Sequence, residues 1–247
     1  MPYREDRLSP ITEGKFYYSC PLDFNDPFDC KPRLKLAKNY KESHVYSKVR
    51  RVTGGKARDW FAKSHRIEKA IQESIDNGVY YDILRSVCVL SLSRRSKSML
   101  MWSHYADQYK GIVIELHRRK GLTESDVENP LWNLVGFDVQ YSTKRPINHI
   151  GKNDVDHKTL LLTKNIDWKY ESESRVISTE LKAGLHAYNR KDLLSSVIAG
   201  SHMSTENLET LKRVVLNASN EIGREIKLKQ IQLSKINYEL EVVDINI

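Results

Sequence analysis

The sequence predicts an α+β protein in which mixed and antiparallel sheets are flanked by helices. Short apolar or alternating runs have the period of strands, and segments with helical spacing lie between them. The chain of 247 residues contains no internal repeat and no linker rich in Ser, Gly or Pro, which indicates one domain over residues 1–247. A chain of this length can bury a core without disulfides.

The pattern of the sequence places each element. Ser204 is a good N-cap for a helix that carries apolar residues at helical spacing, and Gly78 is a good helix terminator. The segments with a helical pattern are 57–77, 98–108, 155–164 and the one that Ser204 caps. The segments with a strand pattern are 15–19, 87–93, 111–116, 135–141, 175–178, 195–199, 226–233 and 238–243, the last two as a hairpin.

Composition restricts the class of protein. With 40% hydrophobic and 29% charged residues, and only 11 Gly and 7 Pro, collagen-like and disordered classes are excluded. Three cysteines are too few for a secreted disulfide scaffold and favour a reducing cytoplasm. The N-terminal residues lack the apolar core of a signal peptide, and no apolar run could span a bilayer. We therefore expect a cytoplasmic protein that has no membrane partner.

The positive charge is concentrated in one segment. The chain carries a net charge of +8, and residues 31–70 alone contribute 13 Lys or Arg against three acidic residues, or +10. Aromatic side chains are interleaved with these cations, a pattern that suits a nucleic-acid backbone and its bases. We expect a basic helical insertion at about 31–78, although a solvated basic helix face would have the same composition. The candidate nucleic-acid-binding residues are Lys48, Arg50, Arg51, Lys56 and Arg58.

A turn is predicted at residues 24–30, Phe-Asn-Asp-Pro-Phe-Asp-Cys. Asn and Asp before Pro favour a tight turn whose side chains bond local amides. Asp26 and Asp29 could instead bind a metal, but no third ligand stands at short spacing. No set of Cys and His residues has zinc spacing either, so we expect no metal site.

Two serines and a helix after them are candidates for chemistry. Ser91 and Ser93 are two residues apart on a strand, so both hydroxyls face one side. The following helix carries His104, a possible general base or a merely hydrogen-bonded side chain, and Tyr105. There is no Ser-His-Asp spacing and no Gly-x-Ser-x-Gly elbow, so a hydrolase is not favoured.

A pair of glutamates is the third candidate. Glu171 and Glu173 are two apart, so on a strand both carboxylates face the same side and require a positive or hydroxyl partner. The alternative is a solvated edge strand in which Arg175 pairs with either acid.

Together these segments resemble a large bacterial family of uncharacterised domains. The marks of that family are an FNDPFD turn, an MWxHYA helix and a YExExR strand. They match here at residues 24–29, 101–106 and 170–175, with a further match at 197–200. The resemblance covers nearly the whole chain and implies no activity.

A second resemblance implies an activity. The order of an N-terminal Arg, a Ser-x-Ser strand and a Glu-x-Glu pair is similar to the Arg–Ser–Glu layout of cholera-toxin-type mono-ADP-ribosyltransferases. The middle motif here has Leu92 where that family usually has Thr. The resemblance implies a split sandwich of two sheets and NAD as the substrate. Its matching positions are Tyr3 with Arg4, Ser91 with Ser93, and Glu171 with Glu173.

The resemblance also implies roles. Glu173 would hold the ribose 2′-hydroxyl and stabilise the positive charge that develops when the nicotinamide bond breaks. Ser91 would orient Glu173, and Glu171 would position or deprotonate the acceptor. The cofactor-binding residues would be Arg4 on a phosphate, its neighbour Tyr3, Ser91, Ser93, and Tyr105 stacking on a ring. No Gly-x-Gly-x-x-Gly fingerprint is present, so a Rossmann dehydrogenase is not favoured.

The acceptor stays open at this point. The basic segment favours RNA or DNA, and the enzyme class then implies a toxin or antiviral-defence effector with a neutralising antitoxin protein. One alternative is a metal-dependent nuclease that uses Asp26, Asp29, Glu171 and Glu173. The other is a non-catalytic module that binds a nucleic acid or a protein partner.

Overall fold

The computed structural model describes residues 1–4, 7–40, 68–69, 72–117, 121–150 and 157–246. The basic residues Lys48, Arg50, Arg51, Lys56 and Arg58 lie outside this part of the chain, as does most of the helix predicted at 57–77. The described end of that helix stops where the sequence predicts, since Gly78 adopts a left-handed φ of 74°. Its N–H donates to the carbonyl of Ile75 at 3.0 Å.

The described residues form an α+β structure, as predicted. The α-helices are α1 (Ser9–Thr12), α2 (Met99–Tyr105), α3 (Glu124–Glu128), α4 (His157–Leu161), α5 (Arg190–Leu193) and α6 (Thr205–Ile222). The 3₁₀ segments are Pro21–Asp23, Val79–Ser86 and Ile166–Glu171. The strands are β1 (Lys15–Tyr18), β2 (Arg33–Leu36), β3 (Cys88–Ser93), β4 (Ile112–Leu116), β5 (Phe137–Asp138), β6 (Gln140–Ser142), β7 (Ile147–Ile150), β8 (Thr163–Asn165), β9 (Glu173–Ser178), β10 (Gly184–Ala187), β11 (Leu194–Ala199), β12 (Lys227–Leu233) and β13 (Leu240–Ile245).

A four-stranded sheet in the order β13-β12-β11-β4 forms one half of the fold. The β11–β12 pair is parallel and the other two pairs are antiparallel. Helix α6, capped by Ser204 as predicted, buries Leu211 and Val215 against one face of the sheet. On the other face, Trp102 of α2 packs against Ile198 and Ile231. No helix in the described ranges is both long and apolar enough to cross a membrane.

A second set of strands carries the candidate residues. Strand β9 lies between β3 and β5, and both pairs are antiparallel. Strand β1 pairs with β10 and reaches β3 through a bridge between Ser19 and Val89. The core of these strands contains Tyr18, Leu90 and Val176. Residues of β4 also pack there, so the two halves of the fold share a hydrophobic boundary.

Three predicted boundaries were wrong. The helix predicted at 155–164 ends at Leu161, and Thr163 and Lys164 belong to strand β8 instead. The helix predicted to reach residue 108 ends at Tyr105, because Asp107, Gln108 and Tyr109 all adopt positive φ values of 48°, 53° and 68°. The strand predicted at 135–141 is divided into β5 and β6. Between them, the N–H of Val139 donates to the carbonyl of Glu173 at 3.0 Å.

Gly200 permits a close approach of two backbone segments, which gives the first prediction. A Cβ at this position would lie 1.8 Å from the carbonyl oxygen of Tyr109. We expect Gly200→Ala to lower the free energy of unfolding by about 3 kcal/mol or more, because the clash is with backbone. Urea unfolding measures the loss.

Gly184→Ala is the control for this prediction. Gly184 has a positive φ of 148°, but a Cβ added there would meet no atom within 4 Å, so only conformational strain is introduced. We expect a loss of about 1 kcal/mol. Equal losses in the two variants would contradict the assignment of the effect at Gly200 to the backbone contact.

Candidate active site

Five ionisable side chains form a buried group, here named the ionic cluster. It contains Asp29, Lys164, Glu171, Glu173 and Arg175, with exposed fractions of 3%, 7%, 4%, 5% and 0%. Three carboxylates and two cations give the cluster a formal charge of −1. Burial of charge costs several kcal/mol per ion unless each group is paired and hydrogen-bonded, so the partners of each group define what the cluster can do.

Arg175 lies at the centre of the ionic cluster and uses all of its guanidinium nitrogens. Nε and Nη2 donate to the two oxygens of Glu173 at 2.8 and 3.0 Å. Nη2 also donates to Asp29 Oδ2 at 2.6 Å, and Nη1 donates to the carbonyl of Leu161 at 2.7 Å. The ring of Phe24 lies 5.2 Å from the guanidinium carbon. The turn at residues 24–30 is therefore fastened to β9 through Arg175.

Lys164 is the second cation and lies among all three carboxylates. Its Nζ is 2.5 Å from Glu171 Oε2, 3.2 Å from Glu173 Oε2 and 3.5 Å from Asp29 Oδ2. Burial by itself would lower the pKa of Lys164, but the charge of Glu173 and the hydrogen bond to Glu171 outweigh it and raise that pKa. Lys164 is therefore held in its charged form.

Glu173 is kept ionised by its neighbours. Burial opposes ionisation, but the hydrogen bond and charge of Arg175, the charge of Lys164 and a hydrogen bond with Ser91 lower the pKa of Glu173 below its usual value. Ser91 can reach Glu173 because the antiparallel register places Ser91 opposite Arg175 and Ser93 opposite Glu173. All four side chains thus share one face of the β3–β9 pair.

Glu171 is fixed from three directions. It is the last residue of the 3₁₀ segment Ile166–Glu171 and, contrary to the prediction from the sequence, does not lie on a strand with Glu173. The hydroxyl of Tyr105 on α2 donates to Oε1 at 2.6 Å, and Lys164 binds Oε2. The hydroxyl of Ser93 donates to the backbone carbonyl of Glu171 at 2.6 Å. Ser172, with a left-handed φ of 44°, then turns the chain into β9. The two serines of β3 therefore hold the two glutamates, one through its side chain and one through its backbone.

Aromatic side chains border the ionic cluster beside Glu171. His104 Nδ1 is 3.1 Å from the hydroxyl of Tyr170, and their rings are 5.8 Å apart. The ring centres of Trp168 and Tyr170 are 6.0 Å apart, and Lys164 Nζ lies 4.9 Å from the centre of the Trp168 ring. His104 is exposed, as are Ser91 and Ser93, so this border is open to solvent.

The turn at residues 24–30 adds a carboxylate oxygen that has no hydrogen-bond partner in the described part of the chain. Asp26 Oδ1 accepts from the N–H of Phe28 at 2.9 Å, as the predicted turn requires. Asp26 Oδ2 is buried and unpaired. Asp29, at the other end of the same turn, binds Arg175 of the ionic cluster. A buried acceptor in this position is suited to a donor on a bound molecule.

The structure thus brings together five of the predicted site residues: Ser91, Ser93, Tyr105, Glu171 and Glu173. It places Tyr3 and Arg4 on a segment that begins at the other half of the fold. There Met1 pairs with Ile112 of β4, Tyr3 packs against the core beneath α6, and Arg4 is exposed. The roles of Tyr3 and Arg4 remain predictions.

Sequence reasoning missed Lys164 and Tyr141. Lys164 belongs to the short strand β8, which pairs in parallel with β6, and it stands opposite Tyr141 in that pair. The hydroxyl of Tyr141 accepts a hydrogen bond from the N–H of Glu173 at 2.8 Å. Neither residue stands in a recognisable pattern. Arg175 did have a signal, since Glu-x-Glu-x-Arg puts its side chain on the same strand face as Glu173.

The same geometry bears on the metal-dependent nuclease alternative. Nζ of Lys164 occupies the space among Asp29, Glu171 and Glu173 where a bridging metal ion would have to lie. Across the described residues, no group of three or more His, Cys, Asp or Glu side chains is arranged to hold a metal ion. The arrangement therefore does not favour a metal-dependent nuclease.

Comparison with known proteins gives a family match without an activity. Residues 101–176 match the model of a family described as a protein of unknown function, DUF2971. The matched region includes Tyr105, Lys164, Glu171, Glu173 and Arg175. No curated protein and no solved structure gave a significant match.

The lowered pKa of Glu173 predicts how a substitution affects stability. We expect Glu173→Gln to reduce the free energy of unfolding by about 3 kcal/mol near neutral pH, because Arg175 and Lys164 lose a buried counter-charge. The contribution of the ionised group is complete above the usual pKa of 4.5 and is lost as the pH falls through the lowered folded-state pKa. The difference between wild type and variant should therefore shrink in acid, as measured by urea unfolding over a pH series. A pH-independent difference would contradict this account.

Proposed function

We propose that the ionic cluster, with Ser91, Ser93 and Tyr105, is the active site of an NAD-dependent ADP-ribosyltransferase. One observation carries the proposal. The antiparallel register places Ser91 and Ser93 of β3 on the same face as Glu173 of β9, which its neighbours keep ionised, and Glu171 lies two residues before Glu173. This is the Ser–Glu part of the arrangement that the Arg–Ser–Glu resemblance implies, while Arg4 lies on a segment at the other half of the fold.

The chemistry requires a fixed negative charge beside the ribose. The bond from ribose C1′ to the nicotinamide nitrogen breaks, its electron pair leaves with neutral nicotinamide, and positive charge develops on the ribose. A carboxylate that is already oriented stabilises this charge without reorganising. Arg175 binds both oxygens of Glu173 and holds it in one orientation, which supports this role.

The second half of the reaction needs an acceptor. A nucleophile on the acceptor forms the new bond to C1′ and loses its proton. Glu171, held by Tyr105 and Lys164 on the border that carries His104 and Tyr170, is in a position to orient that nucleophile or take its proton.

We propose a nucleic acid as the acceptor. In the sequence, the basic segment 31–70 directly follows the turn whose Asp29 binds Arg175. Its described strand β2 exposes Arg33 and Lys35. Because labelling of RNA or DNA inside the cytoplasm would be toxic, a role as a toxin or defence effector, neutralised by an antitoxin protein, fits this acceptor.

Transfer from labelled NAD tests the proposal. Purified protein is incubated with labelled NAD and, separately, with total RNA, DNA and cell lysate. We expect wild type to label an acceptor and Glu173→Gln to lose about 100-fold or more of the rate, because the charge on the carboxylate is removed. Nicotinamide release is measured in the same samples.

Glu115→Gln is the matched control. Glu115 also binds a lysine and a serine, with Lys229 Nζ at 2.6 Å and the Ser196 hydroxyl as partners, but it belongs to the four-stranded sheet. We expect this variant to keep wild-type activity. Circular dichroism confirms that each variant is folded. A folded wild type that releases no nicotinamide, or a folded Glu173→Gln variant with full activity, would overturn the proposal in favour of a binding module.

Charge reversal of the basic segment gives a separate prediction. We expect the double variant Arg50→Glu and Arg51→Glu to label RNA or DNA at least 10-fold more slowly while nicotinamide release without acceptor is unchanged, since phosphate contacts set nucleic-acid affinity. The salt dependence of labelling should weaken in the variant. Unchanged labelling of nucleic acid, or label found only on proteins of the lysate, would reject a nucleic-acid acceptor.

A further inference from the structure

Two cysteines face each other across the contact between β1 and β3. The bridge next to them is a hydrogen-bonded antiparallel pair, because Ser19 and Val89 each donate their N–H to the other's carbonyl at 2.9 Å. One step further along, Cys20 and Cys88 form the adjacent pair, which makes no ladder hydrogen bonds. In such a pair the Cα atoms are only about 4.5 Å apart.

The side chains of this pair lie on one face. Cys20 has extended backbone, with φ −68° and ψ 133°, so its side chain is on the same side as that of Tyr18, two residues earlier. Tyr18 and Cys88 pack in the same hydrophobic core. The pKa of Cys88 is raised, mainly by burial and also by the neighbouring Cys20.

The geometry fits a disulfide without backbone movement. Disulfides require Cα atoms about 4.4–6.8 Å apart and Cβ atoms that point toward each other. The register set by the Ser19–Val89 bridge places Cys20 opposite Cys88 in a pair whose usual Cα separation falls within that range. The third cysteine, Cys30, is placed differently. Its buried thiol is 3.4 Å from Asp29 Oδ1 and 3.2 Å from Arg175 Nη1, within the surroundings of the ionic cluster.

We propose that Cys20 and Cys88 form a cross-strand disulfide when the protein meets a peroxide. Cys20 reacts first, because it is partly exposed whereas Cys88 is fully buried. The thiolate of Cys20 attacks one peroxide oxygen, the O–O bond breaks, and water leaves as a sulfenic acid forms. The thiol of Cys88 then attacks that sulfur and a second water leaves, so two thiols are oxidised and one hydrogen peroxide is reduced.

The disulfide would act on the strand that carries the candidate site. The disulfide closes a long loop between the end of β1 and the start of β3. The other end of β3 carries Ser91 and Ser93. A crosslink over a long loop restricts the unfolded chain and stabilises the folded state. A thiol reductant reverses it, so the bond is compatible with a protein that is reduced at rest.

Thiol mapping of the folded wild-type protein tests the proposal. The full-length protein is treated with hydrogen peroxide, unfolded, alkylated without reductant and digested. We expect one crosslinked peptide pair joining Cys20 to Cys88, an alkylated Cys30, and a fall from three free thiols to one. Dithiothreitol should restore all three thiols, and the oxidised protein should unfold at a higher temperature than the reduced protein.

The variant Cys20→Ser is the control, since it keeps the buried Cys88 in place. We expect it to show no crosslinked peptide and no rise in unfolding temperature after peroxide. Three outcomes would overturn the proposal: the three thiols stay free while methionines oxidise, Cys30 is found in the crosslink, or Cys20 joins two chains instead of pairing within one. Because the mapping is done on wild type, the result does not depend on whether a variant folds.

Discussion

The pairing of buried Arg175 with Asp29 and Glu173 is the interaction on which the rest of the structure depends. A guanidinium with no exposed surface is strongly destabilising unless every charge and donor is matched. Asp29 comes from a turn near the N-terminus, and Glu173 from the same strand as Arg175. The need to neutralise one cation therefore fixes the turn at residues 24–30 against β9. Lys164 and Glu171 extend the same balance of charge to β8 and to the start of β9.

Helix α2 connects this charged region to the apolar half of the fold. Trp102 is buried against the four-stranded sheet, and its indole N–H donates to the carbonyl of Ser96 at 2.7 Å. Tyr105, three residues later, points to the ionic cluster and binds Glu171. One short helix thus packs on one sheet and contributes to the candidate site of the other. The spacing of three residues within the helix sets the distance between these two contacts.

A network with this many internal bonds can serve stability, catalysis or both. What favours catalysis is the pattern of exposure: the carboxylates are buried, yet Ser91, Ser93 and His104 at their border are open to solvent. The unpaired oxygen of Asp26 is a second argument for catalysis, since a network built only for stability would leave no buried acceptor without a hydrogen bond. A preorganised carboxylate needs such surroundings, because rigid partners supply the electrostatic stabilisation that mobile water cannot.

The sequence by itself determined the α+β class, most of the strands, the helix capped by Ser204 and the closing hairpin, because these depend on local periodicity and capping. It also indicated that Ser91 and Ser93 share a strand face, but it wrongly placed Glu171 on a strand with Glu173, because Glu171 ends a 3₁₀ segment. It could not show that these pairs meet, since the register of β3 against β9 is a long-range choice. Nor could it single out Lys164, an ordinary lysine by pattern that becomes essential only where three carboxylates surround it. Tertiary structure decided the site because charge balance in a buried cluster is a property of residues distant in the chain.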